Sequence, residues 1–545
     1  MTYQAFRRVA VDDQVAQHLE TTTIPAPTRG IILDENESFM QPGAAVVMDN
    51  WKPTLKGAAL RGGCIRWCVL PETTPVISAF PYDNGNDQKM FAANATKLYD
   101  VTTASPVLIA SGRTSGNYSA AQFNTLGGEF LIAANDTGDS LLRYDGTSWE
   151  TLVSGYVPPG GKPPMITGPA GTSVEHGQNL TYVAKYRGRL FFLEGGSMNA
   201  WYLPLNSVGG ALSMVPLSGA ATKGGKLLFI AIWSTVAGNN VDDKIVFGTD
   251  LGELIVFTGS DPSDANNWNQ EGRYESAAPM GMNAHINLGG ELLLMTVQGI
   301  VPISLCTQKS PEQLELAAIT KPIKRMWRDE VAAKRGWNWT IANWEMFGGL
   351  FVTWPGSKPG YCAVVNAATG AWARFVGYDA TCWIRLRDDF FFGTTDGKIM
   401  QADHGGYDDG QPYVATIVGG WEMFQSPAQM CCWRQARANF FADPDEVFVP
   451  QITAATDYVV TIPPPPPAGE DPGPQDLWDE GLWDTAKWDA PGETKPAMRN
   501  TMWVSVGATG FSHAPVVQVT VAQQATPEVE LISISAIYER YAFNV

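Results

Sequence analysis

The sequence predicts an all-β protein: a β-propeller of about seven blades, a second antiparallel β-domain of platform or sandwich type, and a short helical insertion. Three observations carry that expectation. A hairpin motif recurs along the chain at a mean spacing of roughly 50 residues, within the range of propeller blades. Glycine (55) and proline (37) are numerous and dispersed along the whole chain, as many short strands joined by turns require. Beyond Met502 the chain alternates cleanly between apolar and polar residues, the period of a half-buried antiparallel sheet.

The first half of the hairpin is a turn, often Gly-Gly or Asp-Asp, followed by a short apolar run. It occurs at Asp87-Gln-Lys-Met-Phe-Ala, Gly127-Gly-Glu-Phe-Leu-Ile, Arg187-Gly-Arg-Leu-Phe-Phe, Gly224-Gly-Lys-Leu-Leu-Phe, Gly289-Gly-Glu-Leu-Leu-Leu, Gly348-Gly-Leu-Phe-Val and Asp388-Asp-Phe-Phe-Phe. Runs this short and this rich in Phe, Leu, Ile and Val suit strands buried on both faces between stacked blades. A tight turn and another strand follow, as in Thr249-Asp-Leu-Gly-Glu-Leu-Ile-Val-Phe and Thr395-Asp-Gly-Lys-Ile-Met. Asp396-Gly397 is a pair suited to a two-residue hairpin turn, in which both positions take positive φ. Some copies add a polar turn ending in an aromatic: Tyr144 to Trp149, Asp264 to Trp268 and Asn366 to Trp372. These tryptophans are expected to cap the outer edge of a blade.

This reading divides the chain into residues 1–70 as an N-terminal arm and platform segment, 71–410 as the propeller, and 411–545 as the C-terminal β-domain. Within the propeller, residues 311–335 read as a helix, with Ser310 as N-cap before Pro311-Glu312. The insertion gathers Lys321, Lys324, Arg325, Arg328, Lys334 and Arg335, either a basic docking face or a solvated insertion between blades. Within the C-terminal domain, Ile462 to Pro474 forms a proline-rich, extended excursion that cannot lie inside a central strand. An arm at 462–490 then carries three Trp-Asp pairs, Trp478-Asp479, Trp483-Asp484 and Trp488-Asp489, five residues apart. An odd period cannot place three indoles on one strand face, so a turn-rich arm whose tryptophans dock into pockets is expected.

Charge narrows the function. Acidic residues outnumber basic ones 55 to 37, for a formal charge of −18. That argues against a protein that grips phosphate, because such binding rests on Lys and Arg displacing counterions. It is compatible with simple solubility or with a conduit that DNA passes without sticking. The seven cysteines have no repeated spacing and the five histidines are scattered, so reduced, mostly buried thiols made in a cytoplasm are expected and no metal site is. The polar N-terminus offers no secretion signal, and no apolar run is long enough to span a membrane.

A search for chemistry returns turns. Asp242-Asp243, Asp388-Asp389 and Asp408-Asp409 could be imagined as a glycosidase acid and base, but each lies beside a turn or a strand start. Tyr144-Asp-Gly-Thr-Ser-Trp149 is similar to the Asp-box turn of sialidase-type propellers, itself a structural element. The acidic run Asp471, Asp476, Asp479, Asp484 and Asp489 lacks the spacing of a calcium loop. No nucleophile elbow, phosphate loop, zinc helix or dinucleotide fingerprint is present. The expectation is a non-enzyme with no catalytic, cofactor or metal residues.

Three segments resemble the nozzle-type (tail tubular protein B-like) tail proteins of short-tailed, podovirus-like bacteriophages. They are Pro27 through Asp49-Asn-Trp51 to Leu60-Arg-Gly-Gly63, then Phe247 through Pro262 and on to Gly289-Gly-Glu-Leu, and finally the Trp-Asp arm with the β-rich C-terminus. The resemblance implies a structural virion protein, synthesised in the bacterial host cytoplasm. It would form a ring of six copies at the distal end of a short tail, a conduit for genome ejection. Its partners would be copies of itself, the tail adaptor, tail fibres or spikes, and double-stranded DNA in non-specific transit. The alternatives are a propeller-type polysaccharide-degrading enzyme, or a receptor-binding tail protein holding a host glycan on Trp478, Trp483 and Trp488.

Overall fold

A computed structural model describes residues 19–541 except 238–239, 335, 355–359, 425–428, 444–445, 447 and 470–495. The three Trp-Asp pairs and the acidic run Asp471 to Asp489 therefore lie outside the described residues, as does Arg335.

The protein is all-β with a propeller. Six free-standing sheets follow one another in the ring. Five are built from strands within 78–110, 118–151, 180–216, 227–275 and 285–302, the fifth having three strands and the others four. The sixth combines Ala380–Leu386, Asp389–Thr394 and Lys398–Ala402 with the N-terminal strand Cys64–Val69. Between the fifth and sixth blades stands a seventh four-stranded unit, Ile341–Trp344 to Trp372–Val376. Its innermost strand packs between those of its neighbours, and Ala380–Leu386 meets Ser78–Asp83 to close the circle. This seventh unit is not a separate sheet. It continues through Ala45–Asp49, Tyr413–Gly419, His513–Val521 and Pro450–Thr456 into the second domain, making one eight-stranded sheet.

The repeated hairpin explains this plan. Six of the seven motif copies begin the second strand of a unit, at the turn from the innermost strand: Gln88–Ala93, Gly128–Asn135, Arg189–Glu194, Glu291–Thr296, Gly349–Thr353 and Asp389–Thr394. The copy at Gly224-Gly225 differs. It precedes Leu227–Ala237, the innermost strand of the fourth blade. Cores form between blades: Phe80, Phe91 and Tyr144 join the first to the second, and Phe123, Ile132, Phe192 and Trp201 the second to the third. Each blade is thus apolar on both faces, as its short unbroken runs require.

Two local expectations are corrected. At Asp396-Gly397 only the glycine has positive φ, 82°, because the turn is held from outside the pair: Lys398 N–H donates to Thr394 Oγ1 at 2.9 Å. The 311–335 stretch is not one helix but Pro311–Ala317, a 3-10 turn Lys321–Ile323, and Lys324–Ala333. Pro322 cannot occupy a helix interior, so the chain turns there. Ser310 stands at the N-cap, without a side-chain capping bond. The insertion is no solvated appendage either: Ile323, Trp327 and Val331 enter the largest core, and Trp327 Nε1 donates to Thr296 O of the fifth blade at 3.2 Å.

The second domain is a sandwich. Facing the eight-stranded sheet is a seven-stranded one whose long central strands, Cys431–Ala442 and Val529–Arg540, pair along their length. Trp433, Ala436, Ala438 and Phe440 point inward with Ile417, Val517, Val519 and Ile452 of the other sheet.

Candidate functional site

The most constrained chemistry in the molecule sits where propeller and sandwich meet, and it is built on Arg61. The segment Asp49-Asn-Trp51 leaves the strand Ala45–Asp49 with Asn50 in the left-handed region, φ 62°. That conformation suits asparagine better than most residues. Asn50 Nδ2 donates to Val414 O at 2.8 Å, while its Oδ1 accepts from Arg61 Nε and from Val376 N–H, each at 2.8 Å.

Arg61 is fully buried and every N–H of its guanidinium is used. Besides Asn50, Nη1 donates to Gly62 O at 2.8 Å and Asp408 Oδ1 at 2.9 Å, and Nη2 to Val376 O at 2.8 Å and Asp408 Oδ2 at 2.6 Å. The cation lies over the rings of Tyr413 and Tyr378, 4.2 and 4.4 Å from their centroids. Burial alone would weaken its hold on the proton, but the Asp408 carboxylate more than offsets this and raises the guanidinium's pKa. The charge is permanent.

Gly62 and Gly63 are required by the same joint. A Cβ on Gly63 would lie 2.0 Å from Tyr407 O, and one on Gly62 2.3 Å from Asp403 Oδ1. The Leu60-Arg-Gly-Gly63 motif therefore has a mechanical meaning: one cation fills the joint, and two residues without side chains let the backbones close on it. Beside it, Arg374 grips Asp49 with two bonds, 2.7 and 2.8 Å, across the parallel pairing that carries the seventh unit into the sandwich. Burial nonetheless raises the Asp49 carboxyl's pKa. A cleft of about 620 Å³ opens next to the joint, lined in part by Arg66, His404, Tyr407 and Asp409. A smaller cavity, about 240 Å³, lies on the propeller axis among Ser78, Tyr118, Tyr182, Asn283, Thr340 and Trp383.

Several of the carboxylates singled out in the sequence have partners of their own. Asp408 serves Arg61, whereas Asp409 pairs with Arg66 and Lys398, both at 3.1 Å. Asp389 accepts from Gln401 at 3.1 Å, and Asp388 offers its carbonyl to Trp344 Nε1 at 3.1 Å. Asp243 offers its carbonyl to the Tyr186 hydroxyl at 2.8 Å. Asp145 of the Asp-box-like turn accepts from the N–H groups of Thr147 and Ser148 at 2.9 and 2.7 Å. Against the upward push of burial, those N–H groups and Lys162 hold its carboxyl far below the usual range. Among the described residues, no group of three or more His, Cys, Asp or Glu is placed to hold a metal ion.

All seven cysteines are free and buried, and burial pushes the Cys68 and Cys382 thiols up to about 12. Of the basic insertion, Lys324 and Arg328 both meet Glu315, and Lys334 meets Glu330. Much of its charge is neutralised within the insertion itself. No described helix is long and apolar enough to cross a membrane.

No family model matches the chain and no curated protein matches it. Among solved structures, the computationally designed Ika8 protein matches 62% of this chain and 99% of its own length, at 11% identity and a TM-score of 0.33. Raptor from Chaetomium thermophilum matches at 12% identity and a TM-score of 0.38; the alignment covers 63% of this chain but 29% of that one. YCF48 bound to a D1 peptide matches at 10% identity and 0.35, over 69% of this chain and 97% of that one. Likeness at these scores carries no functional argument.

Proposed function

We propose that this chain is a structural virion protein forming the distal ring, or nozzle, of a short phage tail. In that role it is a conduit for genome ejection and an attachment point for the adaptor above and the fibres or spikes at the side. The observation that supports this best is the eight-stranded sheet that runs from the propeller into the sandwich, locked by the saturated Arg61 joint. A joint in which every polar group is satisfied transmits load and does not hinge. Hinge and lid motions, which many enzymes use, need the opposite. The net charge of −18 suits a wall that phosphate does not adhere to, and the three resembling segments point to the same family.

The proposal predicts that the protein hydrolyses nothing. Incubating the purified chain with polysaccharide from the producing host should release no reducing sugar, and antibody against the propeller should mark the tip of the tail. Sugar release abolished by changing one turn carboxylate would overturn it in favour of a depolymerase.

A further inference from the structure

Five consecutive prolines, Pro463 to Pro467, follow the strand Pro450–Thr456 of the sandwich. Their conformation is dictated by the residues themselves. Each ring locks φ at about −65°, and each proline pushes the residue before it out of the helical region into extended ψ. Such a run winds as a polyproline II helix, with about three residues per turn and a rise of about 3.1 Å per residue. The run accordingly forms neither α-helix nor strand.

Burial along the run repeats with that period. Pro466 is buried, and Pro463 and Gly469, three residues to either side of it, are half-buried. Pro464, Pro465, Pro467 and Ala468 are exposed. One of the three ridges therefore lies against the sandwich, and it is fixed there from the strand His513–Val521, where the Thr520 hydroxyl donates to Pro466 O at 2.5 Å. The other two ridges, Pro464 with Pro467 and Pro465 with Ala468, are left to solvent.

What these ridges offer is chemically narrow. Proline has no N–H, so the run presents apolar rings and carbonyl acceptors but no donor. Thr461 to Gly469 contains no charged residue, and Val459, Val460 and Ile462 are exposed ahead of the prolines. A charged groove would find no counter-charge here, and the edge of a sheet would find no N–H for its own carbonyls. The surface that matches is a row of flat aromatic rings spaced to take Pro464 and Pro467, about 9 Å apart along such a helix. Tyrosine hydroxyl or indole N–H groups beside those rings would donate to the proline carbonyls. Because the run is already wound and anchored, little ordering is left to oppose binding.

We propose that the exposed ridge carrying Pro464 and Pro467 is a docking strip for a partner protein with an aromatic-lined groove. Thr520 is then a positioning residue, since its bond to Pro466 O decides which ridge is turned to the sandwich and which is left for the partner. This does not depend on the nozzle reading, because the strip belongs to a single copy.

The test titrates the full chain into an isotope-labelled WW domain, a module whose aromatic groove takes polyproline II segments, and follows the domain's indole and tyrosine signals by NMR. A free peptide of residues 459–469 is titrated alongside. The proposal expects the full chain to bind saturably and at least as tightly as the peptide, because the strip is already ordered. Pro464→Ala and Pro467→Ala together should weaken binding roughly tenfold in the chain and in the peptide alike. The chain's urea midpoint should stay in place, since both positions are exposed. Binding by the peptide but not by the chain would overturn the proposal, the ridge then being covered by the protein itself or by a second copy. Binding by neither, or binding that the double substitution leaves unchanged, would overturn it as well.

Discussion

Arg61 gathers partners from residues 50, 376 and 408, with the rings of 378 and 413 around it. Removing one member of such a pair leaves a buried charge uncompensated, at a cost of about 3–5 kcal/mol. Arg61→Met should therefore lower the urea midpoint by that equivalent, and Arg61→Lys should recover less than half, since an ammonium has fewer donors and no fork. Converting Arg61 and Asp408 together to apolar residues should cost less than Arg61→Met alone, because no orphaned carboxylate remains. His285 makes a second residue-scale prediction. It stacks on Phe229 at 4.7 Å and meets the Tyr182 hydroxyl at 3.3 Å, and burial lowers its pKa to about 4. A histidine whose folded pKa lies below its unfolded value of about 6.5 takes up its proton more readily when unfolded. Its contribution to stability is therefore intact above pH 6.5 and falls as pH drops towards 4. Equilibrium unfolding at a series of pH values should show His285→Gln flattening that slope by up to about 3 kcal/mol across the window. Neither residue was legible as a hub in the sequence. Asp145 was readable as a turn because its partners lie two and three residues away, whereas those of Arg61 are brought together only by the closed ring.

Strands and turns were more legible than single residues, for the same reason of range. The motif's turns marked the start of the second strand in six units, since the hairpin they close is local. What the repeat did not reveal was its exception in the fourth blade, nor that the seventh unit joins the sandwich through a parallel pairing at Asp49 and Arg374, 325 residues apart. The aromatic turns also changed meaning. Trp149 packs on Phe91 and Tyr144 at 4.9 and 5.2 Å, and Trp268 stacks on Phe191 and Phe257 at 5.9 and 5.3 Å. In both, the indole joins its own blade to the preceding one and does not cap an edge. Trp268→Ala, at a partly buried position, should cost about 1–3 kcal/mol in chemical unfolding through the packing it removes. Trp337→Ala, at a position half exposed to solvent, should cost less than about 1 kcal/mol. The last blade is completed by Cys64–Val69, which pairs with Lys398–Ala402 from the far end of the propeller. This strand precedes the boundary at 71 expected from sequence, where no hairpin joins it to its partner.

At the scale of the whole molecule, a sheet shared by propeller and sandwich couples their stabilities. Calorimetry of the intact protein should give one unfolding transition, because separating the two parts breaks the pairing at Asp49 and the Arg61 joint together. Arg61→Met should resolve it into two. The acidic surface and the resembling segments supply the rest of the nozzle reading. The measurement that bears on that reading most directly is electron microscopy of the purified full-length protein, alone and with its adaptor. The nozzle reading predicts closed rings of six copies with an open central hole. Compact single copies under both conditions, with no ring formed, would contradict it.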